Sequence, residues 1–322
     1  MTHEFQALPR RAAGPHRVPA QRGAAPLRPG APPRAGAPAA RNHYVVTTER
    51  VRNEILVLDQ AEDWSTGAAV KWRWSAPRAG EGGPRWGELA DVRVRATQAY
   101  GTVVLVAMAC GRAAMVRQAT KRVVWQALEP PGEPPLAVER LAGGVLVTAC
   151  GGAGSLRLYA GASHTAPFRA VPLPGARGVL YDPRRTSLWA LGDGRLLCYR
   201  VTGRGEATKL TATGTVELPD AGRDLQPVYG DEDALWLTGT SGVYRLDLAT
   251  MTCREVDAGR GVASYVSQPS GIRVRVRAEG RPPHGWGSPT VDFLDGHGRP
   301  LFGRTRPGAV FTRARLWTPA FH

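Results

Sequence analysis

Residues 188–200 read LWALGDGRLLCYR, and residues 235–247 read LWLTGTSGVYRLD, 47 positions further along the chain. Each stretch places a Leu-Trp pair before a Gly-containing turn and resumes with apolar residues, which is typical of a β-hairpin. Residues 102–118 and 144–160 form another such pair. The sequence therefore repeats one antiparallel unit.

The period of this repeat decides the fold class. One residue in each presumed innermost strand marks the repeat at intervals of 46, 42, 46, 40 and 47 residues: Asp91, Ala137, Val179, Leu225, Tyr265 and Thr312. A period in the forties with about four strands per unit is typical of a β-propeller blade. We therefore predict an all-β fold, a single six-bladed β-propeller of four-stranded blades over residues 43–322. A parallel β-solenoid is the alternative, although it needs a shorter period.

The two ends of the predicted domain complement each other. One strand, at residues 309–317, remains after the sixth repeat, whereas the first repeat from Tyr44 contains only three clear strands. We predict that the C-terminal strand pairs into the first blade as its innermost strand and closes the ring. Closure of this kind removes exposed sheet edges, which would otherwise pair with other chains.

Residues 1–42 differ from the rest of the chain in composition. They are rich in Pro, Ala, Gly and Arg and show no apolar periodicity, which predicts a disordered leader. Arg10-Arg11 resembles a twin-arginine export signal, but no apolar stretch follows before Tyr44. We therefore expect no signal peptide in the chain as written.

The formal net charge of +15 raises the question of nucleic-acid binding. The leader carries about +6 of this charge, and the other arginines are scattered singly through predicted strands rather than clustered in a basic stripe. We expect no specific nucleic-acid partner. No apolar run approaches the roughly 18 residues of a membrane-spanning helix, so we predict no membrane span. We also expect a monomer.

Candidate site residues follow from the predicted architecture. The innermost strands of a propeller begin at one mouth of its central channel, so polar residues there converge on one concave site. We predict ligand-binding residues at this mouth: Asp91, Arg93, Glu139, Arg177, Arg223, Asp224, Gln268, His284 and Arg313. A ring of arginines with neighbouring carboxylates suits a small anionic or sugar-like ligand through charge-assisted hydrogen bonds, and a protein partner is the alternative.

The folded region resembles a bacterial propeller family that is classed as a domain of unknown function, family number 6528. The stretches that carry the likeness are Ile55–Asp59, Trp64, Lys71–Trp74, Gly192–Leu196, Asp224–Asp231, Ser267–Gly271, Gly287–Phe293 and Ala314–Trp317. The resemblance implies a propeller fold and, because members are often exported, a location outside the cytoplasm. Its motifs indicate no reaction.

A remoter resemblance in architecture connects the chain with oligogalacturonate-lyase-type propellers, which hold a divalent cation with histidines at such a mouth. The family resemblance implies histidines immediately before Gly178 and Asp224, where this sequence has Arg177 and Arg223. Arginine does not ligate a cation as neutral imidazole does. We therefore expect no metal and no cofactor.

Two functions remain open at this point. The first is a non-enzymatic binding or interaction propeller that recognises an anionic or carbohydrate-like ligand at one mouth of the channel. The second is a carbohydrate-active enzyme, either a polysaccharide lyase or a glycoside hydrolase, with an atypical active site. Two carboxylates, or a carboxylate and His284, within reach of one sugar and with perturbed pKa values would indicate the enzyme.

Overall fold

The computed structural model describes residues 44–77, 86–280 and 285–321. The leader predicted for residues 1–42 lies outside these residues. The described chain is all-β, with 24 strands, two single-turn 3-10 helices at Ala142–Gly144 and Gly205–Ala207, and no α-helix. None of its helices is long and apolar enough to cross a membrane.

The strands follow one another in short hairpins. The first three are β1 (Val45–Glu49), β2 (Glu54–Leu58) and β3 (Val70–Ser75). The next eight are β4 (Leu89–Thr97), β5 (Gly101–Met108), β6 (Arg112–Arg117), β7 (Val123–Leu128), β8 (Pro135–Arg140), β9 (Leu146–Cys150), β10 (Ser155–Tyr159) and β11 (Arg169–Pro172). The next eight are β12 (Gly178–Asp182), β13 (Ser187–Leu191), β14 (Arg195–Thr202), β15 (Lys209–Glu217), β16 (Gly222–Val228), β17 (Asp231–Gly239), β18 (Val243–Asp247) and β19 (Thr252–Asp257). The last five are β20 (Val262–Ser267), β21 (Arg273–Arg277), β22 (Thr290–Leu294), β23 (Pro300–Thr305) and β24 (Phe311–Leu316).

These strands form four four-stranded sheets and one eight-stranded sheet. The four-stranded sheets have the orders β24-β1-β2-β3, β4-β5-β6-β7, β8-β9-β10-β11 and β12-β13-β14-β15. The eight-stranded sheet, β19-β18-β17-β16-β20-β21-β22-β23, differs from the six separate sheets predicted above. It consists of two antiparallel four-stranded halves that one parallel pair, Val228 with Ser267, joins between β16 and β20. The antiparallel hairpins exclude the parallel solenoid.

The C-terminal strand pairs with the first strand, as the sequence predicts. β24 lies antiparallel to β1, with Val45 opposite Leu316 and Thr48 opposite Arg313. The backbone N–H of Trp317 then donates to the carbonyl of Tyr44 over 2.8 Å. The first sheet is therefore built from both ends of the described chain.

The first strand of each four-stranded unit has a special position. We call β4, β8, β12, β16, β20 and β24 the inner strands; each contacts the next, and β24 contacts β4, so the contacts form a closed cycle. All six residues that mark the sequence repeat fall on these strands. The cycle brings the beginnings of six strands from distant parts of the sequence close together.

The hydrophobic core lies between successive units rather than in one central cluster. On β5, Val104 and Val106 pack towards the unit that contains β1, whereas Val103 and Leu105 pack towards the unit that contains β8. Six such clusters occur, and one of them joins the last unit to the first through Val266, Phe293 and Phe311. Strands buried on both faces are continuously apolar, which explains the uninterrupted runs in the sequence.

Candidate functional site

One cavity of about 300 Å³ collects residues from the beginnings of the inner strands. We call it the arginine-lined cavity. Its wall consists of Arg50, Ala90, Ala109, Leu136, Arg177, Ala221, Gly222, Arg223, Thr240, Ala263, Trp286, Thr312 and Arg313. Five of these residues occupy the first or second position of an inner strand: Ala90 on β4, Leu136 on β8, Gly222 on β16, Ala263 on β20 and Thr312 on β24. Arg177 directly precedes the sixth inner strand, β12. All six inner strands therefore contribute to one concave surface.

The four arginines of the cavity differ in how they are held. Arg313 is anchored: its Nη1 donates to the Ala263 carbonyl over 2.8 Å and its Nη2 to the Arg223 carbonyl over 3.0 Å. The side chains of Arg177 and Arg223 make no hydrogen bond or ion pair with any residue that the structure describes, and Arg177 is exposed. The cavity therefore presents two guanidinium groups whose donors are available to a ligand.

Trp286 supplies the largest apolar surface of the cavity wall. Its side chain is 40% exposed, and the guanidinium carbon of Arg50 lies 4.1 Å from the ring centroid, within the range of a cation–π contact. The neighbouring alanines are small and leave the volume open. A partly exposed aromatic ring next to charged donors suits a ring-shaped ligand that carries negative charge.

A buried group of ionised side chains adjoins the cavity through Arg313. We call Asp91, Arg93, Arg95, Glu139, Asp224, Arg313 and Arg315 the central charge network. Arg95 holds Glu139 with two hydrogen bonds, of 2.8 Å from Nε and 2.6 Å from Nη2. Arg315 donates from Nη2 to Asp91 and, over 2.8 Å, to Asp224. The Nε of Arg313 lies 3.6 Å from the same oxygen of Asp224.

Burial and neighbouring charges act in opposite directions on this network. Burial acts to raise the pKa of Glu139, but the positive charges of Arg95 and Arg93 outweigh it and the pKa is lowered. Burial, followed by repulsion from Arg315, lowers the pKa of Arg93 to about 10. Glu139 is therefore ionised at neutral pH, and Arg93 stays protonated there.

The C-terminal residues cover the network at the other end of the inner strands. The guanidinium carbon of Arg95 lies 4.1 Å from the ring centroid of Phe321, and this ring also meets Tyr181 edge to face at 5.8 Å. The hydroxyl of Tyr229 donates to the Ala320 carbonyl over 3.4 Å. The network is thus enclosed on the side away from the arginine-lined cavity.

The structure separates the predicted site residues into groups. Arg177, Arg223 and Arg313 line the cavity, whereas Asp91, Arg93, Glu139 and Asp224 lie in the central charge network. His284 lies outside the described residues.

Gln268 does not lie with the others. It follows the last residue of β20, whereas Ala263 near the beginning of that strand lines the cavity. Five residues of extended chain separate the two by about 16 Å. Gln268 instead donates to Gln60 over 3.0 Å, so its predicted position at the mouth is wrong.

Three residues of this region are not among the site residues predicted from the sequence. Arg95 and Arg315 belong to the network, and Arg50 lines the cavity. The signal for the first two is the alternation Asp91, Arg93, Arg95 on β4 and Arg313, Arg315 on β24, because alternate residues of a strand point to the same face. No sequence signal distinguishes Arg50 from other turn arginines.

Carboxylates are distributed unevenly between the central charge network and the described wall of the cavity. Within residues 44–77, 86–280 and 285–321, no three His, Cys, Asp or Glu side chains are grouped as metal ligands. Each carboxylate of the central charge network contacts at least two arginines. None of the described residues that line the cavity is acidic. The described wall of the cavity is therefore suited to hold negative charge.

Comparison with known proteins gives a family and a fold. The model of the Family of unknown function (DUF6528) matches residues 40–287. A protein of unknown function from Bacteroides caccae superposes with a TM-score of 0.59 at 14% sequence identity, over 84% of this chain and 97% of that chain. A functionally unknown protein from Desulfotomaculum acetoxidans DSM 771 gives a TM-score of 0.53 at 11% identity, over 81% and 78%. No curated protein matches the sequence.

Proposed function

Since this chain belongs to the DUF6528 family of unknown function, we propose that it is a six-bladed β-propeller that binds, without catalysis, an anionic carbohydrate-like ligand in the arginine-lined cavity. The family name assigns no activity, and at 14% and 11% identity the solved neighbours support the fold alone. The proposal therefore rests on the cavity.

Three observations support the six blades. The eight-stranded sheet divides naturally into two four-stranded halves, since a single parallel pair joins them. The inner strands contact one another in cyclic order, and six hydrophobic clusters fill the spaces between successive units. Finally, β24 completes the sheet that contains β1. On this reading each four-stranded unit is one blade, and the arginine-lined cavity is one mouth of the central channel.

The observation that carries the function is the composition of the cavity wall. Four arginines face it, none of its described lining residues is acidic, and two of the arginines have no partner among the described residues. Like charges held close together repel unless a counter-charge compensates them. A ligand carboxylate, sulfate or phosphate would supply this charge and accept the free guanidinium hydrogen bonds.

The carbohydrate-like character of the ligand rests on Trp286. Its exposed aromatic surface lies in the same wall as the arginines, so a ligand that both stacks and carries charge would use the whole cavity. A volume of about 300 Å³ is at the lower end of known ligand sites. One acidic sugar unit, as in a uronate or a sulfated residue, fits this chemistry.

The alternative is a carbohydrate-active enzyme, and the cavity gives it less support. General acid–base catalysis needs a titratable group within hydrogen-bonding reach of the substrate. Glu139 is buried beside Arg95 and its pKa is lowered, which keeps it ionised and unable to act as an acid near neutral pH. His284, which with a carboxylate near one sugar would indicate the enzyme, lies outside the described residues.

A binding screen tests the proposal. The full chain is titrated calorimetrically with uronate and sulfated oligosaccharides and with neutral oligosaccharides of equal length, while ultraviolet absorbance and reducing ends are followed over long incubation. We expect saturable binding of the acidic sugars alone and no product. Binding without preference for charge would contradict the anionic ligand, and formation of unsaturated or shortened sugars would favour the enzyme.

A further inference from the structure

The central charge network has more positive than negative groups. Its four arginines (Arg93, Arg95, Arg313 and Arg315) face three carboxylates (Asp91, Glu139 and Asp224). The side chains of Arg93 and Arg315 are only 3% and 5% exposed. Because an uncompensated charge in a protein interior is unfavourable, the network needs one more negative charge.

Most of the network is already saturated with partners. Arg95 donates two hydrogen bonds to Glu139. Arg313 donates to three backbone carbonyls, those of Ala263, Thr312 and Arg223. The unused donors therefore concentrate on Arg93 and Arg315.

These two arginines have hydrogen-bond donors that no described residue accepts. Arg315 uses only Nη2, so its Nε and Nη1 are unpartnered. Arg93 donates from Nη2 to the Leu225 carbonyl over 2.9 Å, and its Nε is unpartnered, with the closest carboxylate oxygens at 3.7 and 3.9 Å. Both guanidinium groups adjoin the carboxylate of Asp91: Arg315 donates to one oxygen, and the Nε of Arg93 lies 3.9 Å from the other.

We propose that the central charge network binds one small monovalent anion, chloride in ordinary buffers, on the unpartnered N–H groups of Arg93 and Arg315. This site is distinct from the arginine-lined cavity, because neither residue lines that cavity. Arg313 belongs to both sites, so the excess charge of the network is counted with the cavity empty, and the proposed anion contacts only Arg93 and Arg315.

Water alone does not satisfy this network. In the described structure Arg93, Arg313 and Arg315 have four unpartnered nitrogen donors, whereas the unpartnered carboxylate oxygens are two, one each on Asp91 and Asp224. Water can bridge these two oxygens to nearby donors, but it brings no charge. An anion together with water satisfies the excess donors and the excess charge.

Tyr229 does not supply the missing charge. Its hydroxyl is close enough for Arg95, Arg93 and Arg315 to favour the phenolate, but burial is the larger effect and raises its pKa. Tyr229 is therefore neutral at physiological pH. The pKa of Arg93, lowered first by burial and then by Arg315, is still about 10, so loss of a proton from this arginine does not balance the charge either.

Crystals of the full chain grown with bromide in place of chloride test the site directly. We expect an anomalous bromine peak within hydrogen-bonding distance of Arg93 Nε and of one unpartnered nitrogen of Arg315, either Nε or Nη1, because these two nitrogens face different edges of the guanidinium group. A peak only in the arginine-lined cavity, or no peak, overturns the proposal. Because this measurement uses the unmodified chain, it stays decisive if a network variant fails to fold.

Thermal melting at constant ionic strength tests whether the ion matters in solution. When chloride replaces methanesulfonate, a monovalent anion without sugar hydroxyls, over two decades of concentration, Tm should rise by about 5 °C, in proportion to the logarithm of the chloride concentration above the Kd. Arg93→Met balances the network at three charges of each sign and should abolish the response. Arg177→Met removes the same charge from the cavity and should keep it. A bromine peak with equal Tm in both salts would indicate an adventitious ion only and would also overturn the proposal.

The two proposals fail separately. Arg177→Met should weaken binding of an acidic sugar without changing the response to chloride. Loss of sugar binding in the unmodified chain leaves the bromide and chloride results unaffected, and their failure leaves the sugar titration unaffected.

Discussion

Arginine side chains serve two purposes in the centre of this protein, and their partners distinguish them. Arg95 and Arg315 are buried and hydrogen-bonded to carboxylates, so they connect inner strands that are distant in sequence. Arg177 and Arg223 have no partner among the described residues and face the cavity. A substitution in the first group should affect stability, and one in the second group should affect binding.

Arg223→Ala should weaken binding of an acidic sugar by about 1.5–3 kcal/mol, because a charge-assisted hydrogen bond is lost. This corresponds to a Kd raised about tenfold to a hundredfold. Isothermal titration against the unmodified chain measures it. Arg200→Ala is the matched control, since Arg200 is exposed on β14 and does not line the cavity. Equal losses in both variants would indicate a general effect of charge rather than a site.

Glu139→Gln should destabilise the fold by about 3–5 kcal/mol, because it leaves Arg95 buried without its counter-charge. The direction of the pKa shift also predicts the pH dependence. Because the folded-state pKa is lowered, ionised Glu139 stabilises the protein above the unfolded pKa of about 4.3, and this contribution is lost as pH falls through the folded value.

Melting curves between neutral and acidic pH measure this effect. The unmodified chain should lose Tm below about pH 4.3, and the variant should lose less over the same range. Glu206→Gln, at an exposed position in the second 3-10 turn, is the control and should follow the unmodified chain. If Tm of the Glu139→Gln variant fell at acidic pH as much as Tm of the unmodified chain, the stabilising charge would not belong to the Arg95–Glu139 pair.

Strand positions could be predicted where burial leaves a signature in the sequence. β5 and β13 are buried almost throughout, and β17 is buried over its last six residues, so their apolar runs are conspicuous. The fourth strands of the units are different: β15 has eight exposed or half-exposed residues among nine, and β11 has none buried. An edge strand packed on few neighbours needs no apolar pattern, and the sequence therefore did not reveal β11 and β15.

The site was predictable only as far as strand polarity allowed. Knowing that inner strands begin at one end was enough to bring Arg177, Arg223 and Arg313 together. The burial of these site residues could not be predicted. Asp91 and Asp224 resemble surface residues in sequence, but ion pairs keep them buried. The position of Gln268 was missed because the sequence did not fix the end of β20.

Removal of residues 309–322 should cause aggregation, because β24 supplies the partner of β1 and buries Phe311, Ala314 and Leu316 against the last unit. Its loss leaves an unpaired strand edge and an apolar cluster in water. Size-exclusion chromatography and chemical unfolding measure the outcome. Removal of residues 318–322 alone leaves β24 intact and should give a folded monomer. A monomeric 1–308 fragment that unfolds cooperatively would contradict the role of this strand.

The cyclic arrangement of six hydrophobic clusters makes the cavity a property of the whole molecule. Arg177, Arg223 and Arg313 come from three different units, and Arg50 follows β1, so no single unit contains the cavity. The clusters between units fix the inner strands, and these fix the arginines. Unlike a site built on one loop, the cavity should therefore be lost whenever the ring opens.

Affinity for an acidic sugar should fall as ionic strength rises, because the arginines attract it mainly through charge. Screening shortens the range of this attraction from about 30 Å at 0.01 M salt to about 10 Å at 0.1 M. Over this interval we expect the Kd to rise about tenfold, mostly through slower association. Titrations in sodium methanesulfonate measure this effect without adding chloride to the central charge network and without adding a competing sugar acid.

Two comparisons separate screening at the cavity from other effects of salt. A carboxyl-reduced sugar of the same length should bind weakly and without salt dependence, because it keeps only the contact with Trp286. The Arg177→Ala/Arg223→Ala double variant should lose most of the salt dependence, because the remaining arginines have partners in Glu88 and Asp224. An affinity that is independent of salt in the unmodified chain would mean that the four arginines do not hold the ligand's charge. An unchanged dependence in the double variant would mean that Arg177 and Arg223 do not hold it.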